Sequence, residues 1–274
     1  MFFHLIATAP AKMHWRILSL SLFLSVLMAA TTRADDYLAR TFSDGKGKTL
    51  PYRLFIPAGY DAAKKYPIIL FFHGAGERGT DNNAQLAHVA PVFVTADFQA
   101  AHPCFVIAPQ CPPDQQWVDM PWGALSGVRP AQPSQAMQLA LKILDSIEAE
   151  FNIDHDRVYA AGLSMGGYAV WDCITRFPER FAAGAACCGG GDENTVTVEV
   201  ARVPIWAFHS ADDTVVPVVR SQHMIAAMKK MGGQPKYSEY QGLGHGSWDK
   251  AFSEPELYPW LFSQSLAKRL GDTP

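Results

Sequence analysis

A serine between two glycines is the first feature of this chain that could perform covalent chemistry. Gly162, Ser164 and Gly166 have the Gly-x-Ser-x-Gly spacing of a nucleophile elbow, a sharp turn that exposes a serine hydroxyl. Residues 157–161 before the motif are short, apolar and typical of a strand, and residues 168–174 after it have a helical pattern. The glycines lack the Cβ atoms that would collide in so tight a turn. The motif predicts a nucleophilic serine on a strand-to-helix turn, although a glycine-rich turn that merely contains a serine has the same spacing.

Two backbone amides are candidates for stabilising the negative charge that an attacking serine creates on a carbonyl. Met165 follows the serine directly, just before the predicted helix, whose free N–H groups and positive dipole end are expected to face the serine. A second glycine-rich loop, residues 73–76, follows another apolar run. Its glycines, Gly74 and Gly76, let the backbone approach a substrate, and the N–H of Ala75 is the second candidate donor.

His73 opens this loop, and we interpret it as a buried histidine that braces the backbone rather than as a catalytic group. A metal site built from His73 and Glu77 is disfavoured, because their spacing is not that of a zinc-binding helix and glycines interrupt the loop. We therefore expect no metal and no cofactor.

An aspartate and a histidine, the partners that a catalytic serine needs, come later in the chain. Asp213 follows an apolar run at residues 203–209, and His245 follows residues 236–240. Both runs are predicted strands, and ligands of a doubly wound sheet bind at the carboxyl ends of its strands. Ser164, Asp213 and His245 are therefore expected to meet at one edge of the sheet as a Ser-His-Asp triad.

The arrangement of elements follows from the hydrophobic patterns. Predicted strands and helices alternate, which indicates a doubly wound, mostly parallel sheet of eight strands. The connection between the sixth and seventh strands is short, so no large cap domain is expected. Strands are predicted at residues 38–42, 50–56, 66–72, 104–109, 157–161, 181–188, 203–209 and 236–240. Helices are predicted at residues 84–100, with an interruption near Pro91, and at residues 134–151, 168–174, 220–231 and 256–270.

The composition suits one globular domain. The 274 residues are 49% hydrophobic and 18% charged with a net charge of −3, which gives no electrostatic case for binding nucleic acid. An odd number of cysteines leaves at least one thiol unpaired. Cys104 and Cys173 are interpreted as buried apolar residues, whereas disulfide pairing among Cys111, Cys187 and Cys188 remains open.

The N-terminus has the pattern of a signal peptide. Residues 17–30 are almost wholly apolar but short for a membrane span, basic residues precede them, and small residues before Asp35 suit a cleavage site. Met13 is an alternative start. We expect residues 1–34 to be removed and residues 35–274 to be exported, to a periplasm or outside the cell, without a membrane span. An uncleaved membrane anchor is the alternative.

A long polar loop, residues 110–133, leaves the carboxyl end of the predicted fourth strand and should overhang the site. It carries Trp117 and Trp122. Trp117 is the candidate wall for an aromatic or sugar group, although packing of the loop onto the domain is an equal alternative.

Five stretches of the chain together resemble a group of secreted α/β-hydrolases. The group contains phospholipase/carboxylesterase-type enzymes, feruloyl and acetyl esterases of carbohydrates, and polyhydroxyalkanoate-depolymerase-like esterases, some labelled predicted peptidases. The resemblance covers nearly the whole mature chain and is more specific for the fold and triad than for the substrate. It rests on residues 73–82, 108–112, 162–167 and 213–217 and on Gly244, His245 and Trp248.

The resemblance implies the α/β-hydrolase fold and an acyl-transfer mechanism. In it, Ser164 attacks, His245 carries the proton, and Asp213 orients His245, while the amides of Met165 and Ala75 bind the oxyanion.

Asp212 and Asp192 are the competing acids. Asp213 is preferred because adjacent side chains in extended backbone point to opposite sides, and because its spacing from Val216 and Pro217 matches the resembling enzymes.

The expected function is a serine esterase for short-chain or aromatic esters of sugars or polysaccharides. Gly74, Gly76, Trp117 and Trp248 are the candidate substrate-binding residues. A serine peptidase of the same fold and a non-catalytic exported binding protein are the alternatives.

Overall fold

One eight-stranded sheet forms the centre of the fold. This computed structural model describes residues 1–2 and 36–271, so nearly all of the predicted signal peptide lies outside the described residues. The strands are β1 (Leu38–Ser43), β2 (Thr49–Phe55), β3 (Tyr66–Phe72), β4 (Phe105–Pro109), β5 (Ile153–Leu163), β6 (Ala183–Cys187), β7 (Ile205–Ser210) and β8 (Lys236–Tyr240).

The strand order is β1-β2-β4-β3-β5-β6-β7-β8. The pairs β1–β2 and β2–β4 are antiparallel, and every later neighbour is parallel. The prediction of a mostly parallel, eight-stranded α/β-hydrolase sheet is confirmed. Because β3, β5, β7 and β8 are parallel, the residues that follow them emerge at the same edge of the sheet.

Strand β3 shows why the sheet is buried on both faces. Ile68, Leu70 and Phe72 pack into the core on one face, while Ile69 and Phe71 pack into the core on the other. Successive side chains of a strand point to opposite faces, so a continuous apolar run must be covered twice. Full burial of each such side chain contributes roughly 1.5–3 kcal/mol.

Helices cover both faces of the sheet. The longest, α2, is N-capped by Ser134, whose Oγ accepts a hydrogen bond from the amide of Met137 at 3.1 Å. No helix of the described residues is long and apolar enough to cross a membrane. The α-helices are α1 (Ala96–Ala101), α2 (Gln135–Glu150), α3 (Met165–Arg176), α4 (Val198–Ala201), α5 (Val219–Lys230), α6 (Trp248–Phe252), α7 (Leu257–Phe262) and α8 (Leu266–Gly271).

The prediction of a helix over residues 84–100, with an interruption near Pro91, is wrong for residues 84–95. The segment forms two 3-10 turns, Ala84–Leu86 and Ala90–Val94, before α1 begins. Pro91, in the first turn of the second segment, has no N–H to donate, and Thr95 then caps α1 as a new start.

The connection between β6 and β7 is short, as predicted. Residues 188–204 contain the 3-10 turn Glu193–Thr195 and α4, and they form no cap domain. Within the described chain, no domain inserted between β6 and β7 therefore covers the carboxyl edge of the sheet.

Candidate active site

Ser164 occupies the turn between β5 and α3 in a conformation that few side chains adopt. Its backbone has φ 54° and ψ −118°, and its amide donates to the carbonyl oxygen of Cys187 at 2.9 Å. A Cβ atom on Gly162 would lie 2.4 Å from the carbonyl oxygen of Gly166, and one on Gly166 would lie 2.0 Å from that of Phe72. Neither glycine position has room for a side chain, so the turn depends on both glycines.

His245 joins Ser164 to Asp213. The Oγ of Ser164 lies 2.8 Å from Nε2 of His245, and Nδ1 of the same ring lies 2.7 Å from Oδ2 of Asp213. The three side chains come from loops after β5, β7 and β8, as expected. Their contacts have the geometry of a general base that is oriented by a carboxylate.

The other two candidate acids lie elsewhere. The carboxylate of Asp212 accepts from the Oγ of Ser210 and from the amides of Gly242 and Gly244, so it shapes the loop before His245. Asp192 caps the 3-10 turn that follows it by accepting from the amide of Asn194. Neither carboxylate is hydrogen-bonded to the imidazole of His245.

Asp213 is buried but remains easy to ionise. Burial by itself would raise its pKa, but hydrogen bonds from His209 and His245 and from the amides of Val216 and Val215 lower the pKa below its ordinary value. Oδ1 accepts both amides, at 2.8 and 2.9 Å, and Oδ2 faces both histidines. The carboxylate thus keeps its negative charge where it can stabilise a protonated His245.

His209 is a site residue that no motif in the sequence indicated. This fully buried side chain places Nε2 3.2 Å from Oδ2 of Asp213 and 3.0 Å from the carbonyl oxygen of Val216, while Nδ1 lies 2.8 Å from the Oγ of Ser221. Both groups near Nε2 are acceptors, so a proton on Nε2 serves them. The only available signal was its position at the end of β7.

The two candidate amides begin helical segments beside Ser164. Met165 is the first residue of α3, and Ala75 is the first residue of the 3-10 turn Ala75–Glu77. The first N–H groups of a helix have no acceptor within it. A Cβ on Gly74 would lie 3.5 Å from that of Ser164, which shows how closely this loop approaches the serine. Their role as oxyanion donors stays a prediction.

A cavity of about 260 Å³ opens above Ser164. Gly74, Gly76 and Trp248 line it, as expected of substrate-binding residues. A larger cleft of about 390 Å³, at residues 201–204 and 260–269, contains none of the triad residues. The remaining residues that line the cavity at Ser164 are Ala75, Glu77, Trp122, Leu163, Val215 and His245.

Trp122 lines the cavity where Trp117 was expected, so the prediction that Trp117 forms a substrate wall is wrong. Trp117 is fully buried, and its Nε1 donates to the carbonyl oxygen of His73 at 3.1 Å. It packs the loop down on the domain, which was the alternative. The carbonyl oxygen of Trp122 accepts a hydrogen bond from the hydroxyl of Tyr168 at 3.1 Å, which helps to hold this segment over the cavity.

His73 braces the loop beneath the cavity. Its Nδ1 lies 2.6 Å from the carbonyl oxygen of Gly74, and its Nε2 accepts from the amide of Cys111 at 2.9 Å. These contacts require the neutral ring with its proton on Nδ1. Burial accordingly lowers the pKa of His73 from 6.5 to about 4.

Cys188, Asp213 and His245 are the group in the described chain whose ligand atoms lie close enough to hold a metal ion, within 4.8 Å of one another. The triad hydrogen bond already joins the last two. Burial raises the pKa of Cys188 well above its ordinary value, which opposes the thiolate form that binds metals. All five cysteines are buried free thiols.

The sequence matches the phospholipase/carboxylesterase family over residues 58–255. The chain belongs to this family. A probable carboxylesterase of Arabidopsis thaliana, SOBER1-like, is 25% identical over 191 residues, which cover 65% of this chain and 71% of that protein. A shorter stretch of 87 residues is 33% identical to a bifunctional acetylxylan esterase/xylanase of Neocallimastix patriciarum, and it covers 31% of this chain and 12% of that protein.

The crystal structure of a thermostable esterase has the same fold, with a TM-score of 0.77 and 41% identity. The match covers 84% of this chain and 64% of that esterase, so this chain spans less than two thirds of its length. Family membership and these esterase relatives place the chain among carboxylic ester hydrolases.

Asp213→Asn should reduce kcat for an ester by about four orders of magnitude, because the imidazole loses the carboxylate that sets its tautomer and stabilises its charge. Asp212→Asn and Asp192→Asn should each stay within roughly tenfold of the wild type, the scale of an indirect effect of about 1.4 kcal/mol. The three variants would be compared on p-nitrophenyl acetate, with circular dichroism as the check on folding. A large loss of kcat in Asp212→Asn or Asp192→Asn, together with an unchanged kcat in Asp213→Asn, would contradict the assignment of Asp213 as the acid of the triad.

His73 should make the fold less stable in acid. The pKa of His73 is 6.5 in the unfolded chain and about 4 in the folded chain. Between these pH values the unfolded chain binds a proton that the folded chain does not bind, so the free energy of unfolding falls as the pH decreases through this window. The contribution amounts to about 3 kcal/mol at most. Urea titrations across this range should show a weaker dependence on pH in His73→Gln than in the wild type.

The exposed His155 is the matched control, and His155→Gln should keep the wild-type dependence on pH. Identical pH profiles for His73→Gln and the wild type would show that His73 titrates equally in both states.

Proposed function

We propose that this chain is a serine esterase that cleaves carboxylic esters through an acyl-enzyme intermediate. The observation that carries the proposal is the unbroken line of hydrogen bonds from Oγ of Ser164 through the ring of His245 to Oδ2 of Asp213. A serine with a purely structural role requires neither this chain of hydrogen bonds nor a strained backbone with φ 54°.

The geometry supports a definite sequence of proton transfers. The N–H at Nδ1 of His245 donates a hydrogen bond to Asp213 and keeps its proton, which leaves Nε2 free to accept the proton of Ser164 as its Oγ attacks the ester carbonyl. The amides of Met165 and Ala75 bind the developing oxyanion. His245 then protonates the leaving alcohol, and in the second half it activates the water that releases the acid.

The cavity favours short or flat acyl groups. Its volume of about 260 Å³ is small, its side-chain walls are mostly apolar, and Trp122 and Trp248 offer flat surfaces. With no cap domain between β6 and β7, a bulky alcohol can remain outside the cavity. These features, with the segment that resembles part of a bifunctional acetylxylan esterase/xylanase, support short-chain or aromatic esters of sugars or polysaccharides as substrates.

Ser164→Ala should lose on the order of 10⁶ in kcat for p-nitrophenyl acetate, because the attacking group is removed. An organophosphate should add to the wild type at Ser164, as seen by mass spectrometry of the peptides, and should leave the variant unmodified. Acetyl, feruloyl and peptide anilide substrates would be assayed in parallel. Undiminished ester hydrolysis by Ser164→Ala, on protein from an esterase-free host, would contradict the proposal, and faster cleavage of the anilide would make the chain a peptidase.

We also propose that the enzyme is exported, on the strength of the apolar stretch at residues 17–30 and the small residues after it. N-terminal sequencing of the protein from a periplasmic or culture fraction should begin at Asp35. An intact apolar stretch in the membrane fraction would show that it acts as an anchor.

A further inference from the structure

Glu77 lines the cavity that holds Ser164 and, within the described part of the chain, has a buried carboxylate oxygen without a hydrogen-bond partner. The side chain lines this cavity and is only 13% exposed. Its Oε2 is buried and, among the residues that the structure describes, has no hydrogen-bond partner. A buried acceptor without a donor is destabilising. A ligand that donates a hydrogen bond to this atom would remove that cost, which favours binding of the ligand.

The oxygen lies close to the nucleophile. A Cβ atom built on Gly74 would be 3.0 Å from Oε2 of Glu77 and 3.5 Å from Cβ of Ser164. The carboxylate and the serine therefore both lie beside Gly74, and a small rotation of the Glu77 side chain brings the buried Oε2 to a substrate bound at Ser164.

The other atoms of Glu77 are already engaged. Oε1 lies 3.4 Å from Nε2 of His88, and the backbone carbonyl oxygen accepts from Nε2 of Gln110 at 3.2 Å. The ring of His88 packs on Trp248, which in turn meets the ring of His245 edge-on, with centroids 5.2 and 5.6 Å apart. These contacts hold the side chain on the His245 side of the cavity and leave Oε2 to accept.

We propose that Oε2 of Glu77 accepts a hydrogen bond from a hydroxyl group of the substrate's alcohol part. His245 donates its proton to the leaving alcohol, so the alcohol lies on the side of the cavity where Glu77 is held. The enzyme then favours esters of polyols and sugars over esters of plain alcohols. This inference rests on the proposed esterase function and narrows its substrate class.

A hydroxyl suits the cavity better than an ammonium group does. An ammonium brings three donors, whereas the other lining side chains apart from Ser164 and His245 are glycine, alanine, leucine, valine and tryptophan, which carry no acceptor atom. A hydroxyl brings one donor, which Oε2 alone can satisfy.

Two esters of the same size test the proposal. Propyl acetate and 2-hydroxyethyl acetate differ only in a terminal methyl or hydroxyl group, and their kcat/KM values would be measured for the wild type and for Glu77→Leu by titration of the released acid. The substitution should lower kcat/KM for the hydroxy ester about tenfold more than for propyl acetate, since a hydrogen bond to a charged group is lost. Because both esters are measured in both proteins, the ratio of the two losses is independent of the difference between the leaving groups and of any general damage to the site.

Glu77→Gln retains a carbonyl acceptor without the charge and should show a smaller selective loss, about threefold. It also serves if the leucine variant fails to fold. Glu179→Gln removes an exposed carboxylate far along the chain and should leave both rates unchanged.

Equal losses on the two esters in both Glu77 variants would overturn the inference while leaving the esterase function intact. A selective loss seen only with a hydroxyl on the acyl part, as in ethyl 3-hydroxybutyrate against ethyl butyrate, would also overturn it. Failure of the wild type to hydrolyse any of these esters or p-nitrophenyl acetate would overturn the proposed function and the inference together.

Discussion

The close approach of α3 to the ends of β3 and β5 is the constraint on which the site depends. At Gly166 the backbone passes so near to Phe72 that a Cβ would lie 2.0 Å from its carbonyl oxygen. The chain can make this contact only by a tight turn in which Ser164 takes a positive φ, which costs on the order of 1–3 kcal/mol. Burial of α3 outweighs that cost, since residues 165–175 are all buried and each large apolar side chain among them contributes roughly 1.5–3 kcal/mol. The strain is thus local, and the core supports it.

The second requirement is a carboxylate that stays charged while buried. Transfer of an aspartate out of water is unfavourable unless its oxygens are hydrogen-bonded. Asp213 receives hydrogen bonds from the amides of Val215 and Val216 on one oxygen and faces His209 and His245 with the other. Only His245 among these partners contacts the nucleophile, so the other three support the charge that orients it.

The walls of the cavity are positioned by polar groups that do not line it. Gln110 is fully buried and joins Glu77, Asp81 and Asn82 by hydrogen bonds, which ties the end of β4 to the loop that contains Ala75. His73 makes a second connection between the same two segments through Cys111. Satisfied polar networks of this kind favour one arrangement of the loops, because every alternative leaves a buried donor or acceptor without a partner.

The sequence by itself determined the features that depend on neighbouring residues. The apolar run of β3 predicted its bounds, and the glycines around Ser164 predicted the turn. These are local requirements of backbone geometry and burial, and a short stretch of chain contains all the information they need. Alternation along extended backbone was not what separated Asp213 from Asp212, because residues 210–213 form a turn.

Tertiary structure decided which side chains of the loops face the cavity. Trp117 is turned inward by a hydrogen bond to His73, 44 residues earlier, and Trp122 is held at the cavity by Tyr168, 46 residues later. His209 reaches Asp213 only through the turn between them, and Glu77 is aimed by packing that involves His88 and Trp248. A loop has no periodicity that fixes the direction of a side chain, so that direction follows from contacts between distant segments and exists only once the sheet has formed.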